Sequence, residues 1–143
     1  MKRDYTGVAR FRAALRAFER AAEEAARRAG LTPQRYLLLL MAKGAPDRSE
    51  RATISDLAER LQVEPHTITG AARRAEDAGL IVREPCTQDR RRTWIRLTTE
   101  GERKLEEVVS ALESRRDDLL TALDGATTHA RAIRPTEQTR ARA

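Results

Sequence analysis

The sequence predicts a mainly α-helical fold with one small β-hairpin set between helices, and three observations predict it. Apolar residues recur at steps of three and four in several separate stretches, the period of one helix face. Two short runs, LIVRE (80–84) and TWIRL (93–97), alternate at period two instead. Proline, glycine and hydroxyl residues fall at the joints, where helices begin and end. The chain has 143 residues, which suits one ordinary domain or one half of an intertwined dimer.

Val8, Phe11, Leu15, Phe18, Ala22, Ala25 and Ala29 form one stripe of a first helix, which Gly30 ends. Thr32 caps a second helix. Pro33 occupies its first turn, where a missing N–H costs nothing, and Gly44 closes it. Leu37 to Met41 are apolar on every side, which predicts a buried central helix. KGAPDRSERA (43–52) reads as a polar loop. Ser55 is expected to cap a short helix from Asp56 to about Gln62, and Pro65 to open another that ends near Ala78, before Gly79.

In LIVRE, Leu80 and Val82 share a face; in TWIRL, Ile95 and Leu97 do. Pro85 to Arg92 then makes a long basic hairpin tip. Thr98 caps a last long helix with the stripe Leu105, Val108, Val109, Leu112, Leu119, Leu120 and Leu123. The tail 125–143 has few large apolar residues and is expected to be poorly ordered or to form a short helix before Pro135. The expected division is 1–30 as an N-terminal dimerisation helix, 31–98 as the central domain, 99–124 as a C-terminal dimerisation helix and 125–143 as a basic tail. The terminal stripes flank a segment that already has its own core. A second copy of the chain is the simplest thing to cover them.

Charge and composition narrow the function. No apolar run is long enough for a bilayer span, and Cys86 is the only cysteine, so a cytoplasmic location and no membrane partner are expected. The net charge of +6 suits an anionic partner such as nucleic acid, but its position says more than its size. From Thr53 to Thr98, arginines and carboxylates nearly balance. The excess lies in the run Arg90, Arg91, Arg92 and in the tail. His66 and His129 are isolated and predict no metal site. Glu23–Glu24, Glu106–Glu107 and Asp117–Asp118 are sequence neighbours that diverge around a helix, so they read as solvated face rather than acid/base pairs. No cofactor motif and no nucleophile with a base is present, and no enzymatic activity is expected.

In LAERLQVEPHTITGA, Leu57, Ala58 and Leu61 point inward from one helix and Ile68 and Ala71 from the next, with Val63 in the turn. That is the spacing of a helix-turn-helix, whose second helix enters the DNA major groove. A plain antiparallel helix pair fits the segment as well. Gln62 in the turn needs a backbone that a non-glycine adopts only with strain. The outward residues of the second helix are Pro65, His66, Thr67, Thr69, Gly70, Arg73 and Arg74, which offer donors and hydroxyls to phosphates and base edges. A hairpin directly after such a helix makes a winged helix, and its arginine-rich tip can lie in the adjacent minor groove. A charge run is commonly a solvated turn; the position of DRRR favours the groove reading. Trp94 reads as wing packing.

The chain resembles the MarR family of bacterial transcription regulators. LTPQRYLLL, ISDLAERLQVEPHTIT, AGLIVRE and above all DRRRTWIRLTTEG carry the resemblance, the last matching the family's Asp-x-Arg and Leu-Thr-x-x-Gly wing signature. It implies a winged helix-turn-helix with N- and C-terminal dimerisation helices. The implied homodimer binds pseudo-palindromic double-stranded DNA, commonly as a repressor relieved by a small hydrophobic or phenolic ligand. It also implies that Asp89 orients the wing and Arg91 reaches the minor groove, with Arg90 and Arg92 beside it. A ligand cleft in this family would recruit Phe11, Arg12, Phe18, Arg35 and Tyr36, although such aromatics also serve as core. Gln62 and Glu64 stand where the family commonly has glycine and a serine cap, and Arg73 where an acidic residue is frequent. Redox-sensing relatives carry their cysteine near the first helix, unlike Cys86. An alternative is a winged-helix interaction protein that binds a protein partner with its recognition helix instead of DNA.

Overall fold

The computed structural model describes residues 2–132, with side chains as far as Gly125. Its elements are α1 (Tyr5–Arg28), α2 (Pro33–Lys43), β1 (Arg51–Thr53), α3 (Ile54–Leu61), α4 (Pro65–Asp77), β2 (Ile81–Pro85), β3 (Thr93–Leu97) and α5 (Thr99–Ala132). They divide into two compact units: Ala22–Ala111, and the segments before and after it.

The larger unit holds the winged helix. Thr32 caps α2 by accepting the Arg35 N–H, and Pro33 sits in the first turn, as its sequence requires. Leu38, Leu39 and Ala42 are buried, but Leu37 is 40% exposed, so α2 is not apolar-packed all round. Expecting a helix buried on every side was wrong by one residue face. The short α3 starts earlier than Ser55 implies. Thr53 is its cap, and a capping box joins it to Asp56: the Thr53 hydroxyl accepts the Asp56 N–H at 3.1 Å, and Asp56 accepts the Thr53 N–H at 3.0 Å.

The stretch expected to be only loop contains a third strand. β1 pairs antiparallel with β3 in the register Arg51↔Arg96, Ala52↔Ile95 and Thr53↔Trp94, giving the sheet order β1-β3-β2. Three residues are too few for period-two alternation to show in sequence. Inward residues of the sheet are Ile81, Ile95, Leu97 and Ala52. Leu80 is buried ahead of β2, whereas Val82 is 41% exposed and faces outward, so the expected Leu80–Val82 face does not exist. Here Leu80 belongs to the turn and Ile81 takes the inward position.

Between α3 and α4 the chain turns through Gln62 in the left-handed region, φ 55 and ψ 45, and the Gln62 side-chain amide donates to the Glu59 carbonyl at 2.7 Å. The strain read from the sequence is therefore present. Left-handed backbone costs a side-chain-bearing residue about 1–2 kcal/mol. Glycine would relieve this but lose the amide bond and more chain entropy. Gln62→Gly is expected to raise stability by roughly 0.5 kcal/mol, seen as a melting temperature higher by about 2–4 °C. An unchanged or lower melting temperature would mean that the Glu59 bond offsets the strain.

At the other end of the wing, a clasp ties the turn after α4 to the start of α5. Thr98 donates its N–H to the Leu80 carbonyl at 2.9 Å and its hydroxyl to the Gly79 carbonyl at 2.6 Å. The same hydroxyl accepts the Gly101 N–H at 3.1 Å. Gly101 packs so closely that a Cβ there would lie 2.1 Å from the Leu80 carbonyl oxygen. The Leu-Thr-x-x-Gly pattern is thus a structural requirement of the wing base. Helix α5 then runs through Gly125 to Ala132, past the expected boundary at 124; residues 133–143, the rest of the predicted tail, lie outside those described. Nothing in the 125–132 sequence breaks a helix except Gly125, which alone is a weak breaker.

Candidate nucleic-acid interface

Helix α4 buries Ile68, Ala71, Ala72 and Ala75 and turns the rest of its surface outward. Pro65, His66, Arg73 and Arg74 are exposed, and Thr67, Thr69 and Gly70 are half-buried. All seven residues expected to face DNA therefore lie off the packed stripe. Glu64 is the N-cap but makes no side-chain bond; Pro65 brings no N–H to the first turn of α4, and the Thr67 N–H donates to the Glu64 carbonyl at 3.0 Å. Thr69 donates to the Pro65 carbonyl at 3.2 Å, which holds its hydroxyl against its own helix. Arg74 lies over Gly70 and reaches Gln34 of α2 at 3.4 Å, whereas Arg73 makes no ion pair among the described residues.

Ala58, 5% exposed, sits where α3 crosses α4, and its small side chain permits the close approach that the sequence suggested. Arg60 anchors α3 to α2 by donating to the Met41 carbonyl at 2.9 Å. Sequence reasoning did not single out Arg60; a lone arginine on a short helix carries no signal of its partner.

The wing tip is built by Asp89. Its carboxylate accepts the Arg91 N–H at 3.0 Å, its carbonyl accepts the Arg92 N–H at 3.0 Å, and the Arg92 carbonyl accepts the Cys86 N–H at 3.0 Å. These bonds close a tight turn that throws the three arginines outward. The Arg91 side chain is 94% exposed, and its guanidinium lies 3.6 Å from the Asp89 carboxylate. Arg90 and Arg92 are exposed and form no ion pair among the described residues. Cys86 is buried beneath the tip. The Asp89 and Gln88 N–H groups point at its sulfur and draw the thiol below its usual range, and the Trp94 indole adds to this.

Known proteins share this architecture. The family model described as "MarR family" matches residues 29–92, from the turn before α2 into the wing tip. The chain is 36% identical over 87 residues to the HTH-type transcriptional repressor MdtR of Bacillus subtilis, which covers 61% of this chain and 54% of MdtR. It is 35% identical over 91 residues to the HTH-type transcriptional regulator FarR of Neisseria gonorrhoeae, covering 62% and 58%. The matches span little more than half the length of these curated relatives. Across the chain, the crystal structure of AbsC, a MarR family transcriptional regulator from Streptomyces coelicolor, superposes with a TM-score of 0.67 at 25% identity, covering 92% of this chain and 99% of AbsC. Over residues 29–92 the chain is similar to the MarR family.

The fold is the winged helix that the resemblance implied: five helices and a small antiparallel sheet. The residues suggested for a ligand cleft are distributed over both units. Phe11, Arg12 and Phe18 belong to the smaller one and Arg35 and Tyr36 to the larger. Tyr36 is buried, and burial raises its phenol above the usual value. The larger unit has its own groove of about 610 Å³ along α2 and α5, lined by Leu40, Lys43, Glu102, Arg103, Leu105 and Val109, and it contains none of the five. Among the described residues no helix is long and apolar enough to cross a membrane, and no cluster of metal-ligating side chains occurs.

Proposed function

We propose that this chain is a MarR-family transcription regulator that binds operator DNA as a homodimer, with α4 in the major groove and the wing tip in the minor groove. One observation carries the reading. Arg73, Arg90 and Arg92 stand exposed without a carboxylate partner among the described residues, and Arg91 is 94% exposed, held outward by the Asp89 turn. Cations presented in this way suit a phosphate backbone and a narrow groove. Thr67 and Thr69 add hydroxyls on the same helix as further groups for phosphates or base edges. Repression is the direction favoured by the likeness to MdtR, and a small hydrophobic effector is part of the proposal, as is action in the cytoplasm. A recognition helix serving a protein partner instead would have no use for the exposed arginines of the wing tip beside it.

The dimer is proposed on the apolar residues left uncovered in the smaller unit. Tyr5, Val8 and Phe11 share one face of α1 and are 74%, 63% and 41% exposed, and Leu120 on α5 is 53% exposed. Leu112 is buried within the chain itself, so its substitution would test folding as much as assembly. Leu120→Asp is the cleaner test. A charge placed in an apolar interface is expected to weaken association at least tenfold, with little change in secondary structure. Analytical ultracentrifugation of both proteins at micromolar concentration decides it. Wild-type protein that sediments as a folded monomer would remove the dimer.

The DNA reading is tested by fluorescence anisotropy with genomic fragments selected on the protein. Affinity is expected to fall steeply with salt, with a log–log slope of about 0.9 for each phosphate neutralised. A flat salt response would exclude a backbone-tracking DNA binder.

A further inference from the structure

The wing sheet has a second face that the DNA reading does not use. Strand alternation places Ile81 and Arg83 on the side of α4, where Arg83 pairs with Glu76 at 2.9 Å. Val82, Glu84, Trp94, Arg96 and Arg51 therefore point the other way, away from the recognition helix. On that face Arg51 and Arg96 are direct cross-strand partners, an arrangement in which like charges repel. Arg51 escapes by stacking over the Trp94 ring, 4.1 Å from its centroid. Arg96 has only a loose contact with Glu84, at 3.9 Å. Val82, opposite Arg96 on β2, is exposed. The result is an open patch with two guanidinium groups, one carboxylate, a half-buried indole and an exposed valine.

We propose that this outward face of the wing sheet docks an acidic protein segment with interspersed apolar side chains, in addition to the DNA held by α4 and the wing tip. Charge complementarity selects the occupant. The two guanidinium groups outnumber the single carboxylate, so the patch attracts carboxylates. Trp94 and Val82 supply apolar contact that a phosphate backbone does not use. The chain's own residues 133–143 are a poor fit, because Arg134, Arg140 and Arg142 outnumber Glu137. Trp94 is the single tryptophan, so its emission reports on the patch directly.

The test titrates the full chain with a synthetic octapeptide alternating Glu and Leu, following Trp94 emission, and repeats it with selected DNA bound. The expected result is a saturable change, retained on DNA. Its midpoint should rise at least tenfold in the Arg51→Glu, Arg96→Glu double variant and also, by a smaller factor, in Arg51→Gln, Arg96→Gln. The glutamine pair guards against misfolding of the charge-reversed protein, with circular dichroism as the check. DNA affinity, measured separately by anisotropy, should change less than about threefold in both variants. No saturable change, or an equal response to a matched Lys and Leu octapeptide, overturns the proposal. So does displacement of the peptide by DNA, or a large loss of DNA affinity in the variants, which would give the face to nucleic acid.

Discussion

Replacing Gly101 with alanine should destabilise the protein by about 2–4 kcal/mol, although the same change in an open helix position would stabilise it. Gly101 lies in the first turn of α5, where alanine has the better helix propensity by about 1 kcal/mol. The obstacle is tertiary. A Cβ would sit 2.1 Å from the Leu80 carbonyl oxygen and 3.1 Å from its carbon, and both are backbone atoms that cannot rotate aside. Relief requires α5 to move away from the turn, which stretches the bonds from Thr98 to Leu80 and Gly79. Losing those two bonds, at about 0.5–1.5 kcal/mol each, and overpacking by about 1–3 kcal/mol outweigh the propensity gain. Gly125→Ala is the internal control. It lies in the same helix with nothing within 4 Å of the new Cβ, so it should stabilise by up to about 1 kcal/mol. Urea unfolding of both variants reads the two signs. A Gly101→Ala protein as stable as wild type would mean that the clasp at the wing base is loose.

Arg91→Ala should lower operator affinity at least tenfold while leaving stability within about 0.5 kcal/mol. The side chain is almost fully exposed, so it contributes little to folding. The substitution takes one guanidinium from each subunit of the proposed dimer, and each is worth on the order of 1–3 kcal/mol in a groove. The salt slope should flatten by about one unit for each guanidinium removed from the DNA. Arg91→Lys separates two roles: full recovery would mean a point charge near phosphate, and failure would mean that the planar fork is needed. Asp89→Ala should be milder, since it frees the turn that positions Arg91 without removing the donor. Titration of a labelled operator across several salt concentrations measures all three.

Much of this architecture was legible because its signals are local. Thr32 and Pro33 start a helix wherever they precede an apolar run, and the Asp89 turn with its arginines is a contiguous motif. The outward residues of α4 followed from its period once Ile68 and Ala71 were taken as inward. What was missed depends on partners distant in sequence. β1 exists because β3 offers it a ladder 41 to 45 positions on, and three residues cannot announce that alone. Arg51 looked like loop until that ladder placed it over Trp94. Val82 was set inward by the assumption that β2 begins at Leu80; the positive φ of Gly79 and the Thr98 clasp delay the strand by one residue, and one residue reverses a face. The Thr53–Asp56 box was present in the sequence and overlooked in favour of Ser55, which also has the right chemistry for a cap.

Hydroxyl-radical footprinting of a fragment selected from genomic DNA tests the central claim most directly. Two copies of α4 related by a two-fold should protect an inverted repeat with half-site centres about 10 bp apart, or a similar multiple of the helical turn. Each half-site should be flanked by a protected minor groove where the wing tip lies, and in Arg91→Ala that flanking protection should fade while the central protection persists. A footprint with no inverted repeat, or with flanks indifferent to Arg91, would contradict the proposed docking of α4 and the wing.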